Sequence, residues 1–135
     1  MEHVSSYSTV YQIGHKAIAG LFDNPVIVEE KIDGSQFSFG KLGGEYVCRS
    51  HKKQMIVDAP EQMFIQAIEN TKDLDVRENW IYRGEFLGKP KHNTLNYGRV
   101  PKNNVILFDV MTAPETYLSW IEKKQEADRI GLECV

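Results

Sequence analysis

The sequence predicts an α+β fold, and three observations carry that expectation. Two strand-like runs, residues 36–42 and 45–51, flank Gly43-Gly44, and a glycine pair between such runs makes a two-residue hairpin turn. Two further runs, at 80–87 and 105–111, have the length and the apolar, aromatic and β-branched content of strands. Two stretches open like helices, Asp58-Ala59-Pro60-Glu61 and Thr112-Ala113-Pro114-Glu115, each a capping residue followed three positions later by glutamate. With 135 residues the chain can build one domain around a real core.

Taken in order, residues 1–14 are polar with scattered aromatics and show no periodicity that places them. Residues 10–22 carry Ile13, Ala17, Ile18 and Leu21 at helical spacing, against which Gly14 and Gly20 weigh. Asp23-Asn24-Pro25 is a turn signal. Val26-Ile27-Val28 opens a predicted buried strand over 26–31 that ends in charge and turns at Gly34. If Gly43-Gly44 is the hairpin loop, Phe39 lies opposite Cys48 and Ser38 opposite Arg49. Phe37, Phe39, Tyr46 and Cys48 then share one face, the core. Ser38, Val47, Arg49 and His51 share the other, which aims Arg49 toward a cleft. Phe64, Ala67 and Ile68 give the buried stripe of a helix over 58–71. Residues 88–104 form a long polar loop holding Lys89, Lys91, His92, Arg99 and Lys102, of the length that is often functional or mobile. A second helix is predicted from Thr112 to about Ile130, stopped by Gly131, and 132–135 open another strand.

Composition narrows the function. Lysine and arginine number 16 against 19 acidic residues, a net charge of −3, so this is not a globally basic nucleic-acid binder and a polyanion must meet a local patch. Cys48 and Cys134 lack metal-ligand spacing and read as reduced thiols, which points to a cytoplasmic protein. No run is long or apolar enough for a membrane span, and the N-terminus lacks a signal-peptide layout. His51 and His92 have no partners at zinc spacing, so no metal site is predicted.

The chemistry-bearing residues come in a definite order: Lys31-Ile32-Asp33-Gly34, then Arg49-Ser50 on the second hairpin strand, then Gly84-Glu85-Phe86-Leu87-Gly88, then Phe108-Asp109. That order resembles motifs I, Ia, III and IIIa of the covalent nucleotidyltransferases, the superfamily of DNA ligases, RNA ligases and capping enzymes. It is most similar to ATP-dependent RNA ligases of the phage type-2 class, and the resemblance runs from about residue 25 to 132. It implies an antiparallel-sheet-rich adenylation domain of the ATP-grasp-like ligase type, with ATP between two sheets and Mg2+ assisting. It also implies RNA with a 5′-phosphate and a 3′-hydroxyl as the partner, in the host cytoplasm of a phage or in a bacterium. In such enzymes a lysine attacks the α-phosphate of ATP, the AMP passes to the RNA 5′-phosphate, and the 3′-hydroxyl displaces AMP.

Carried over by position, the resemblance makes Lys31 the adenylated nucleophile. Glu30 reads the adenine through its backbone and Ile32 flanks the nucleotide. Arg49 lies near the phosphates or ribose, where its planar fork suits oxyanions. Glu85 holds the ribose hydroxyls or a metal-bound water, and Phe108 stacks on the adenine. Asp33 is expected to stabilise its own turn rather than to bind metal. Without the resemblance, Phe108 reads as core, Glu85 and Arg83 as a surface ion pair, and Lys52 and Lys53 as a solvated strand end. The 89–102 stretch reads as solvated loop, with RNA contact, and stacking of a base on Tyr97, as the sharper alternative.

The resemblance also implies an acidic Glu/Asp-Gly strand, motif IV, and a Lys-x-Lys strand, motif V, after Val135. Neither is in the sequence. The expectation is therefore an N-terminal portion of a ligase, incomplete at its C-terminal end, that adenylates Lys31 poorly or not at all. An ATP-dependent DNA ligase and a non-catalytic nucleotide- or RNA-binding fragment are the competing readings.

Overall fold

A computed structural model describes residues 3–135. Its strands are β1 (Ser35–Leu42), β2 (Glu45–Ser50), β3 (Ile81–Phe86), β4 (Val105–Ala113), β5 (Thr116–Tyr117) and β6 (Glu133–Cys134). Its helices are α1 (Ile65–Thr71) and α2 (Trp120–Ile130). The strands form one six-stranded sheet in the order β2-β1-β3-β4-β5, with β6 joined to β4. All pairings are antiparallel except β4–β6, which is parallel through Ile106↔Glu133 and Leu107↔Cys134. This is a small α+β domain, as predicted.

The hairpin has the predicted register, Phe39↔Cys48 and Ser38↔Arg49, because both turn glycines take the positive φ that a two-residue loop demands. Alternation then fixes the faces. Phe37, Phe39, Cys48, Tyr82, Phe86, Val105, Leu107 and Val110 form the core face, against Phe64, Ala67 and Ile68 before and on α1 and Ala127 and Ile130 on α2. The opposite face carries Gln36, Ser38, Arg49, Arg83, Glu85, Phe108 and Asp109. Among the described residues it is covered by two irregular stretches of chain, 4–10 and 26–32.

Four expectations are corrected. The predicted helix over 10–22 reduces to one 3-10 turn at Lys16–Ile18 with no buried residue: Gly14 and Gly20 both sit at positive φ, and the apolar side chains find no surface to pack on. The predicted buried strand over 26–31 forms no strand and pairs with nothing among the described residues, and Val28 is 88% exposed. The first helix starts at Ile65, after a 3-10 turn at Gln62–Phe64, and Glu61 rather than Asp58 precedes that turn. Thr112-Ala113-Pro114-Glu115 opens no helix. It ends β4 and turns into β5, with Glu115 at φ 52°. The helix begins seven residues later, where Ser119 and Glu122 form a capping box: the Ser119 hydroxyl accepts the Glu122 amide and the Glu122 carboxylate accepts the Ser119 amide. Gly131, at φ 83°, stops α2 as expected.

Candidate active site

Sheet register stacks the polar residues of the open face into rows. One row runs Arg49–Ser38–Arg83–Asp109 across β2, β1, β3 and β4; the next runs Gln36–Glu85–Ile106. Between them β4 carries a bulge, because pairing shifts from Arg83↔Asp109 to Gly84↔Leu107 and leaves Phe108 without a partner. A bulge breaks the alternation, so Phe108 and Asp109 both face the open side while Leu107 and Val110 stay in the core. Phe108 is thus half-buried and lies outside the core cluster. Gly84 sits opposite: a Cβ there would lie 2.8 Å from Val105 Cγ1 and 3.0 Å from the Ile106 carbonyl.

The stretch 4–8 crosses the first row like a strap. The Val4 carbonyl accepts from Arg49 at 3.4 Å, and the Ser5 carbonyl and hydroxyl accept from Arg83 at 2.5 and 2.9 Å. Tyr7 donates to Asp109 at 2.6 Å and packs edge-on against Phe108, ring centroids 4.9 Å apart. The strap explains two departures from expectation. Arg83 is fully buried and spends its guanidinium on Ser5 and Ser38, so it forms no surface pair with Glu85. Arg49 lies on the predicted face but under the strap, bonded to the Val4 and Lys52 carbonyls rather than lining the cavity.

Over the second row lies a cavity of about 230 Å³, lined by Tyr7, Val10, Glu29, Glu30, Lys31, Ile32, Gln36, Glu85, Ile106, Phe108, Asp109 and Val135. Of the six residues singled out from the sequence, Lys31, Glu30, Ile32, Glu85 and Phe108 meet here and Arg49 does not. They arrive from the 26–32 arm, β3 and β4. A wider groove of about 780 Å³ adjoins it, shares Lys31, Gln36 and Glu85, and continues past Ser35, His51 and Lys52.

Electrostatics single out Glu85. Burial pushes its carboxyl up to about 7; Lys31 opposes the rise and Asp33 adds to it. Its Oε2 is buried with no hydrogen-bond partner, an unused acceptor on a residue that lines the cavity. Such an atom needs a donor, and a ribose hydroxyl or an ammonium group would serve. Burial also raises the Asp109 carboxyl, against the Tyr7 hydrogen bond and the charge of Lys123.

Asp33 does not face the cavity. Its carboxylate accepts the Leu95 and Thr94 amides at 3.0 and 2.8 Å, and these bonds hold it below the usual carboxylate range. The Tyr97 hydroxyl accepts from the Asp33 amide at 2.7 Å, and Asn93 donates to the Gly34 carbonyl at 2.8 Å. The 88–104 loop is therefore fastened onto the Lys31-Ile32-Asp33-Gly34 turn, and the Tyr97 hydroxyl is engaged in that anchor. His92 extends the contact, with Nδ1 accepting the Gly88 amide and Nε2 at 2.8 Å from the Ser35 hydroxyl. Gly34 is needed for packing: a Cβ would lie 2.5 Å from the Phe86 carbonyl. Among the described residues, no three His, Cys, Asp or Glu side chains converge as a cation site, and no helix is long and apolar enough to cross a membrane.

Sequence reasoning missed Tyr7 and Lys123, and it named Asp109 in a motif without giving it a role. Asp109 had a signal, a carboxylate inside an otherwise apolar strand. So did Lys123, which stands four and seven residues before the buried Ala127 and Ile130 and hence on the inward stripe of α2. Tyr7 had none.

The cavity thus brings together an amine, a half-buried carboxyl with an unused acceptor and an aromatic wall. Comparison with protein families specifies the class: residues 24–135 match the RNA ligase family model, and the chain belongs to that family. No curated protein and no solved structure matches it.

Proposed function

We propose that this domain is an ATP-dependent RNA ligase module of the phage type-2 class, which joins RNA 3′-hydroxyl and 5′-phosphate ends through a lysine–AMP intermediate on Lys31. The observation that carries the proposal is the convergence of Lys31, Glu85 and Phe108, far apart in sequence, on one cavity. The family membership supports ligase chemistry on RNA.

In this reading Phe108 offers its ring face to adenine, with Tyr7 holding the ring edge-on. The Glu30 backbone borders the base and Ile32, buried at the cavity floor, excludes water. The unused Oε2 of Glu85 accepts a ribose hydroxyl. Lys31, as free amine, attacks the α-phosphorus; a P–N bond forms, the bond to the β-phosphate breaks and pyrophosphate departs. An RNA 5′-phosphate oxygen then displaces the lysine nitrogen, and the 3′-hydroxyl displaces AMP to leave a phosphodiester. Arg49 would reach phosphate only if the strap over it shifts. Magnesium would ride on the triphosphate oxygens and supply charge neutralisation as pyrophosphate leaves. The RNA would lie along the wider groove, where His51 and Lys52 stand near Lys31.

Intact-mass spectrometry after prolonged incubation with ATP and magnesium tests the proposal. The expected result is a gain of one AMP, slow, and abolished in Lys31→Ala. An adduct that persists in Lys31→Ala, or none at any time, overturns it.

A further inference from the structure

The arm that carries Lys31 is held after it by buried Ile32 and by the Asp33 anchor to the 88–104 loop, and has few fastenings before it. Among the described residues no backbone hydrogen bond fastens 26–31, and Val26, Ile27 and Val28 are exposed. Its polar tether comes from the far side of β4. Lys123, on α2, is 2% exposed, although a lysine is rarely so buried without a partner. Its Nζ is in salt-bridge contact with the Glu29 carboxylate and donates to the Phe108 carbonyl at 3.2 Å. One ammonium group therefore bonds to the strand residue at the bulge and to the residue two positions before Lys31.

We propose that Lys123 is a positioning residue that sets the placement of the Lys31 amine relative to the Phe108 wall, with Glu29 as its partner on the arm. The inference rests on the function proposed above for what the placement is for. The physical argument is independent of it. A buried ammonium released from its carboxylate leaves an uncompensated charge, so the pair stays closed. A segment that makes no backbone hydrogen bonds and exposes its apolar side chains takes its position from its fastened points, the anchored Ile32-Asp33 turn on one side of Lys31 and the Glu29 contact on the other. The bulge matters as well, because the carbonyl that Lys123 takes belongs to Phe108, the residue that the bulge leaves unpaired by β3. Lys123 does not itself line the cavity but holds two residues that do, Glu29 and Phe108, so its effect is on geometry.

The test uses the full chain with Lys123→Met, Glu29→Gln, and the exchanged pair Lys123→Glu with Glu29→Lys. Site-resolved acetylation of lysines, without nucleotide, reads the arm directly. Both single variants should change the labelling rate of Lys31 about threefold or more, with Lys16 and Lys89 unaffected and the melting temperature showing each protein folded. The exchanged pair should move Lys31 back toward the native rate. In the adenylation assay the maximal rate should fall on the order of tenfold, while the KM for ATP changes less, because misplacement costs rate more than binding. Native Lys31 labelling in both folded single variants overturns the inference. If Lys123→Met fails to fold, Glu29→Gln, whose side chain is at the surface of the pair, decides alone. If the native chain is never adenylated, the function proposal falls, but labelling still decides whether Lys123 positions the arm.

Discussion

Replacing Glu85 by glutamine should make the unliganded protein more stable above neutral pH and less able to hold a nucleotide. The carboxyl is pushed from its ordinary 4.5 to about 7, chiefly by burial. A raised value means that the folded state holds the proton more tightly than the unfolded chain does. The native protein therefore loses stability as pH climbs from about 4.5 to about 7, and the deficit is constant above that. A shift of this size corresponds to roughly 3 kcal/mol for a fully desolvated group. Glu85 borders an open cavity, so screening reduces that to about 1.5 kcal/mol. Glutamine keeps the shape and never ionises. Urea or thermal denaturation at pH 5 and pH 8 reads the difference: near parity at pH 5, and a gain of about 5 °C for Glu85→Gln at pH 8. An equal gain at both values, or a loss at pH 8, would refute the argument, since it would mean that the buried oxygen already has a partner. Loss of ATP affinity in the same variant would complete the picture of a group kept at a cost to stability for a ligand.

Other perturbations probe the frame around the cavity. Gly34→Ala places a methyl group against the Phe86 carbonyl and should cost about 1–3 kcal/mol by forcing β1 and β3 apart, readable by denaturation; an unchanged midpoint would contradict the close approach. Asp33→Asn should loosen the 93–97 loop, read as faster amide exchange at Thr94 and Leu95. The native anchor should persist above the usual carboxylate range and weaken only as pH falls through the lowered value. Ser119→Ala removes half of the capping box and should cost about 1 kcal/mol, with exchange rising in the first turn of α2.

The parts of this fold that local chemistry dictates were legible in the sequence. Gly43-Gly44 fixed a register, the register fixed two faces, and the face opposite the phenylalanines is the one that carries the cavity. Gly131 ended α2 for the reason expected. What escaped depends on distant contacts. No residue pattern marks a bulge, so apart from the resemblance Phe108 read as core, and pairing shows it displaced toward the open side. The strap 4–8 has no periodicity, yet it hides Arg83 and keeps Arg49 from the cavity. Thr112-Ala113-Pro114-Glu115 has the chemistry of a helix start, and the capping box that forms is a second one, Ser119 with Glu122. The β4–β5 turn, stabilised by tertiary pairing, took the first and left the second to α2. Val26 to Val28 read as a buried strand from composition alone, but an apolar run becomes a strand only where another edge is there to pair with it.

The central claim is that the Lys31 amine faces a bound ATP. Site-resolved acetylation with and without saturating ATP tests it without requiring turnover. The account predicts that ATP shields Lys31 strongly while Lys16 and Lys89 label at unchanged rates. Equal labelling of Lys31 in both conditions, with ATP binding verified by calorimetry, would contradict it.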